Sequence, residues 1–128
     1  MIALASVLIS SPKILFLDEP TAGLDFESKK IFMSSLKNLN KNFKLTIIQS
    51  SHILEDIIEY GDTVLILNKN KKFINGNPRD LLFSKETLNN YGLKEPEIYK
   101  YIEELKKFGV KNIDNIKTNR ELIKKIIL

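Results

Sequence analysis

Residues 14–25 read ILFLDEPTAGLD: an apolar run from Ile14 to Leu17, adjacent carboxylates at Asp18 and Glu19, then a proline and small residues before Asp25. A short apolar run closed by acids predicts a strand buried on both faces, as in a parallel sheet covered by helices. The carboxylates then stand at the strand's carboxyl end, the edge where open α/β sheets bind ligands. An aspartate there can hold a hydrated magnesium ion, and a glutamate one residue further can orient and deprotonate a water attacking a phosphoryl group. On these residues alone, a plain strand end with a solvated acidic turn is the better account of the pattern.

The surroundings extend the strand into a unit. Upstream, Met1 to Ile9 reads as the tail of a helix, ended by Ser10, Ser11 and Pro12. Downstream, Asp25 can cap a helix that carries Ile31, Phe32, Leu36 and Leu39 inward, and Leu45 to Gln49 forms a second buried strand. In a parallel pair both strands deliver their ends to one edge. His52, the only histidine, follows the second strand in QSSHILED, so His52 and Glu19 can converge on one ligand, with an imidazole N–H donating to a terminal phosphate oxygen.

Further on, a short helix with Leu54, Ile57 and Ile58 on one face stops at Gly61. Strands Thr63 to Leu67 and Lys72 to Ile74 follow, joined by a polar lysine turn. After Gly76, Asn77 and Pro78 the texture changes to short amphipathic helices. The expected division is therefore a sheet-bearing part over 1–78 and a helical appendage over 79–128. Pro96 falls in a first helical turn, with Ile98, Tyr101, Ile102, Leu105 and Phe108 at helical spacing and Gly109 as the stop. Thr118 and Glu121 form a capping box for a last helix bearing Leu122, Ile123, Ile126 and Ile127. These stripes need cover from each other, from the sheet part or from another subunit.

Composition narrows the chemistry. With 128 residues and 43% hydrophobic content a real core is within reach. No apolar run approaches the ~18 residues of a membrane span, and the N-terminus lacks a signal peptide's basic flank and cleavage site. The absence of cysteine removes disulfides, thiolate zinc sites and thiol nucleophiles. The net charge of +4 is scattered, and its densest group, Lys69, Lys71 and Lys72, reads as a solvated turn, so no nucleic-acid partner is expected.

LFLDEPTAGLD resembles the Walker B motif and D-loop of ATP-binding cassette (ABC) ATPases, and SSH at 50–52 resembles their switch-histidine segment. The resemblance covers Met1 to about Pro78. It implies that Asp18 supports magnesium, that Glu19 is the catalytic base and that His52 senses the γ-phosphate. Ser51 belongs to the nucleotide-binding set, and Asp25 lies in a loop that crosses a dimer interface to the partner's nucleotide site. VLILNKNKKFINGNP is similar to the transporter branch of the family. The tail YGLKEPEIYKYIEELKKFGV with TNRELIKKI resembles the C-terminal extension of energy-coupling factor transporter ATPases, which power vitamin and transition-metal-ion uptake. The fold implied is α/β, a partial P-loop NTPase domain with a mainly parallel sheet and a helical C-terminal appendage. Implied cofactors are ATP and Mg2+. Implied partners are a second ATPase subunit and a transmembrane transporter subunit, with the chain peripheral on the cytoplasmic face of the membrane.

Such an ATPase also needs a GxxxxGK[ST] loop whose amides cradle phosphates, and an LSGGQ-like signature. Neither occurs here, since the glycines at 23, 61, 76, 92 and 109 stand apart and none begins such a loop. MIALASVL resembles the helix after the signature, so the chain is expected to begin inside a domain and to lack the P-loop strand. Three readings remain: a C-terminal half completed by a separate chain carrying the P-loop or left by truncation, a non-enzymatic association module or inactive remnant, and, weakest, a nucleic-acid-binding protein. The first is preferred. On it, 128 residues alone hydrolyse nothing, and a sheet face left uncovered makes the chain prone to aggregate.

Overall fold

A computed structural model describes residues 6–70 and 72–127. The first residues of the expected N-terminal helix, Met1 to Ala5, and Lys71 of the lysine turn lie outside the described residues. The chain is α/β and forms two compact units, Met1–His52 and Ile53–Leu128.

The first unit is built on β1 (Ile14–Leu17), α1 (Phe26–Phe43) and β2 (Thr46–Gln49). The strands pair in parallel, with Ile14 beside Thr46 and Leu17 beside Gln49, and the 18-residue helix forms the crossover. Parallel strands require such a long connection, because a tight turn would reverse the chain. α1 starts at Asp25, whose carboxylate accepts from the Ser28 amide, and ends on Lys44 in the left-handed region at φ 55°. Asn40 Nδ2 donates to the Leu45 carbonyl, tying the end of the helix to the start of β2.

Two expectations are corrected here. The strands are not buried on both faces: Leu15 is buried at 5% exposure, whereas Ile14 and Phe16 are 51% and 72% exposed and Ile48 is 47% exposed. Alternate residues of a strand face opposite sides, so helix covers the Leu15 side and the Ile14, Phe16 and Ile48 side is open. The inward stripe of α1 is also turned: Met33 and Leu36 are buried, Phe32 and Leu39 half-buried, and Ile31 exposed.

The second unit opens with α2 (Leu54–Tyr60), which Gly61 ends. A β-carbon there would lie 2.7 Å from the Ile57 carbonyl oxygen, so the site admits only glycine without a shift of backbone. β3 (Val64–Leu67) and β4 (Phe73–Gly76) then form an antiparallel hairpin. Its turn is organised by Asn68, whose side-chain oxygen accepts from the amides of Asn70 and Lys72 at 3.0 Å each. Asn77 caps α3 (Pro78–Leu81) with the proline at its first position, and Ser84 caps α4 (Lys85–Tyr91). One core joins Ile58, Val64, Ile66 and Leu82. Leu65, Leu67 and Phe73 point away from it and are exposed.

α5 (Ile98–Lys107) and α6 (Asn119–Ile127) complete this unit. A second core gathers Ile98, Ile102, Ile113, Ile116 and Leu122, with Phe83 packed against both cores. The expected α5 stripe is therefore divided: Ile98 and Ile102 are internal, Leu105 is half-buried, and Tyr101 and Phe108 face solvent. Thr118 Oγ1 accepts from the Glu121 amide, while Glu121 Oε2 reaches back to the amide of Lys117. Glu121 also pairs with Arg79 at 2.6 Å, and Lys117 Nζ donates to the Arg79 carbonyl and lies over the Phe83 ring. Glu59 with Arg120, and Glu55 with the amide of Glu97, attach α2 to the later helices.

Candidate functional site

The register of β1 on β2 decides which residues meet. Extended past the ladder, it sets Asp18 beside Ser50, and the Ser50 amide still donates to the Leu17 carbonyl at 2.9 Å. The Ser50 hydroxyl donates to Asp18 Oδ1 at 2.5 Å and accepts from the Glu19 amide at 2.9 Å. One residue after β2 thus bonds three consecutive residues at the end of β1.

Glu19 takes the left-handed conformation, φ 43°. For a residue other than glycine this costs roughly 1–3 kcal/mol unless the surroundings compensate. The compensation is visible: the amide is held by Ser50 and the carbonyl accepts from the Ala22 amide at 3.0 Å. This turn sends the Glu19 carboxylate towards the second loop, where the Nδ1–H of His52 donates to Glu19 Oε2 at 2.9 Å in the ring form that carries its proton there. The pair is open to solvent, with side-chain exposures of 75% for His52 and 37% for Glu19. An open pair of this kind stabilises the fold little and leaves both groups able to change partner.

Asp18, Glu19, Ser50 and His52 are therefore gathered at one edge of the parallel pair, with Ser51 half-buried between Ser50 and His52. Asp25 is placed differently. Past Thr21, buried at 5% exposure, and Gly23 at φ 75°, it turns its carboxylate onto the first turn of α1, Oδ1 to the Ser28 amide and Oδ2 to the Ser28 hydroxyl. The amide bond first and the hydroxyl second lower its pKa. Ser50 was missed by sequence reading, which took Ser51 from the SSH motif. The signal that finds it is the parallel register itself, which places the residue after β2 against the first acid after β1.

The donor set limits what can bind. Among the described residues no group of three or more His, Cys, Asp or Glu side chains could cage a metal ion. One or two hard carboxylates at a solvent-open edge suit Mg2+, which keeps several waters and takes phosphate oxygens as further ligands. They do not suit zinc, which prefers a tetrahedral set of nitrogen and sulfur donors.

No protein-family model matches the chain. Similar curated proteins include the energy-coupling factor transporter ATP-binding protein EcfA2 of Caldanaerobacter subterraneus subsp. tengcongensis, 38% identical over 85% of this chain and 38% of that protein. EcfA2 of Clostridium tetani is 33% identical over 98% of this chain and 44% of its own length, and EcfA3 of Oenococcus oeni is 36% identical over 98% and 43%. The chain spans less than half the length of these relatives. Among solved structures, a chain of an inward-facing metal-chelate type ABC transporter superposes with a TM-score of 0.63 at 28% identity, covering 70% of this chain and 35% of that one. By sequence and by fold alike, this chain is similar to part of an ABC transporter ATP-binding subunit, and the curated relatives it matches are of the energy-coupling factor type.

Proposed function

We propose that the chain supplies the Walker B, D-loop and switch-histidine part of an ATPase that powers uptake of a vitamin or a metal ion through an energy-coupling factor transporter. The observation that carries this is the meeting of Glu19 and His52, at 2.9 Å, beside Asp18 at the carboxyl edge of a parallel pair. In this reading Asp18 supports Mg2+ through its water shell. Glu19 accepts the proton of the attacking water, and His52 exchanges its bond with Glu19 for one to the γ-phosphate. Bound Mg2+ supplies charge neutralisation on the phosphates. Ser51 belongs to the nucleotide-binding set, and Asp25, besides capping α1, faces a partner subunit.

The amides and lysine that cradle the phosphates come from residues outside these 128, on a separate chain or an adjoining segment. Residues 1–78 form the ATPase part and 79–128 the extension. The assembly is a dimer of ATP-binding subunits on the cytoplasmic face of the membrane, docked on a transmembrane component. No helix among the described residues is long and apolar enough to cross a membrane, and a peripheral subunit needs none. An inactive remnant or an association module is the competing reading, and the same experiment separates them.

The P-loop-to-signature portion of the Clostridium tetani EcfA2 relative is fused ahead of Met1 or co-expressed with the chain. The expected result is Mg2+-dependent ATP hydrolysis from the combination and none from the 128 residues alone. Glu19→Gln keeps size and removes the base, so turnover falls by about 10²-fold or more while ATP binding persists. Robust hydrolysis by the chain alone, or a restored enzyme indifferent to Glu19→Gln, refutes the assignment.

A further inference from the structure

Ser50 is bound at three points, and only one of them belongs to the sheet. The amide bond to the Leu17 carbonyl continues the ladder and is available to any residue except proline. The other two use the hydroxyl, which serves at once as donor to Asp18 Oδ1 and acceptor from the Glu19 amide. A hydroxyl on a one-carbon stem can do both. An amide side chain is longer, a methyl does neither, and a thiol is a weak donor and acceptor.

We propose that Ser50 is a positioning residue for the Walker B acids, its hydroxyl setting the orientation of the Asp18 carboxylate and the left-handed backbone of Glu19. Asp18 engages Ser50 through Oδ1, which leaves Oδ2 to turn towards a ligand at the open edge. The amide of Glu19, once held, fixes the turn that carries the Glu19 carboxylate to His52. Removing the hydroxyl frees both acids together, so Ser50 acts through Asp18 and Glu19. The two carboxylates thus respond as one unit to a change on the neighbouring strand. This inference rests on the function proposed above.

The test compares Ser50→Thr with Ser50→Val, which share shape and β-branching and differ by the hydroxyl alone. Ser50 is exposed, so the added methyls meet no buried wall. Hydrogen-exchange mass spectrometry of the full chain at low concentration reads the Glu19 amide without nucleotide. Exchange should be about three- to tenfold faster in Ser50→Val than in Ser50→Thr, the effect of one net hydrogen bond. In the fused ATPase, Ser50→Val should lower kcat about tenfold and raise the Mg2+ concentration for half-maximal turnover several-fold. ATP binding should stay level, and Ser50→Thr should recover most of both losses. Equal exchange in the two variants overturns the geometry. Equal kcat and Mg2+ dependence, in an enzyme that still requires Glu19, overturns the positioning role. If the fused wild-type protein does not turn over, the proposed function fails, and the exchange comparison alone decides whether Ser50 holds Glu19.

Discussion

Replacing Ile102 and Phe108 by alanine separately distinguishes an internal core from a docking stripe on α5. Ile102 is 6% exposed and packs with Ile98, Ile113, Ile116 and Leu122, whereas Phe108 is 86% exposed, so residues on one helical pattern have opposite environments. Ile→Ala in a packed core costs about 2–5 kcal/mol, the lost transfer energy plus the cavity left behind. The cavity would be walled by Ile98, Ile113, Ile116 and Leu122. For a unit of this size each kcal/mol moves Tm by about 4–8 °C, so a loss of about 2–5 kcal/mol in Ile102→Ala should lower the melting of this unit by about 8–40 °C. Phe108→Ala removes a larger side chain from an exposed site and should stay within about 0.5 kcal/mol, a shift below ~4 °C. Far-ultraviolet circular dichroism at several low protein concentrations reads both and detects any contribution from association. Equal losses in the two variants, or a strong concentration dependence confined to Ile102→Ala, would refute the internal-core assignment.

The open face of the parallel pair predicts self-association. Phe16→Lys with Ile48→Lys should raise the soluble fraction of the isolated chain while leaving its helix content unchanged, and a soluble fraction equal to wild type would count against that face as the aggregating surface. The Glu121 network predicts a pH dependence. Burial raises the Glu121 pKa, but the Lys117 amide and Arg79 outweigh it and hold the group below its ordinary 4.5. A carboxylate with a depressed folded pKa contributes stability above its unfolded value and loses it as pH falls through the folded one. The second unit should therefore weaken as pH drops below about 4.5, and Glu121→Gln should flatten that fall in urea titrations; an unchanged slope would remove Glu121 from the cause.

What the sequence made legible was local. Gly61 and Gly109 follow helix ends as read and the lysine turn joins two strands, while of the capping box only the Thr118 arm forms, since Glu121 returns its bond to the Lys117 amide and not to that of Thr118. Each depends on residues within a few positions of one another. Burial was less legible, because ILFL looks the same whether or not a second layer covers it. Its exposed side at Ile14 and Phe16 records what packs against the strand, and this lies outside the strand's own residues. The phase of α1 was misread for a related reason. Ile31, Phe32 and Met33 are consecutive apolar residues and leave the stripe's centre undetermined, and contacts with the rest of the unit select Met33 over Ile31.

The site shows the same boundary between local and non-local information. Asp18, Glu19 and His52 were expected to meet because each follows an apolar strand, and parallel pairing brings strand ends together whatever their spacing in the chain. Which serine faces the acids is a finer question, since neighbouring residues of an extended segment point to opposite sides. The register sets Ser50, not Ser51, beside Asp18, and a slip of one residue would exchange them. The register is fixed by burial: Leu15 and Ile47 lie side by side on the covered face, and any slip would expose one of them. The apolar face of a four-residue strand thus specifies, through register, which hydroxyl meets a carboxylate at the strand's end. Core packing and the placement of the acids are therefore one constraint, and changes at Leu15 or Ile47 should disturb Asp18 and Glu19 without touching either.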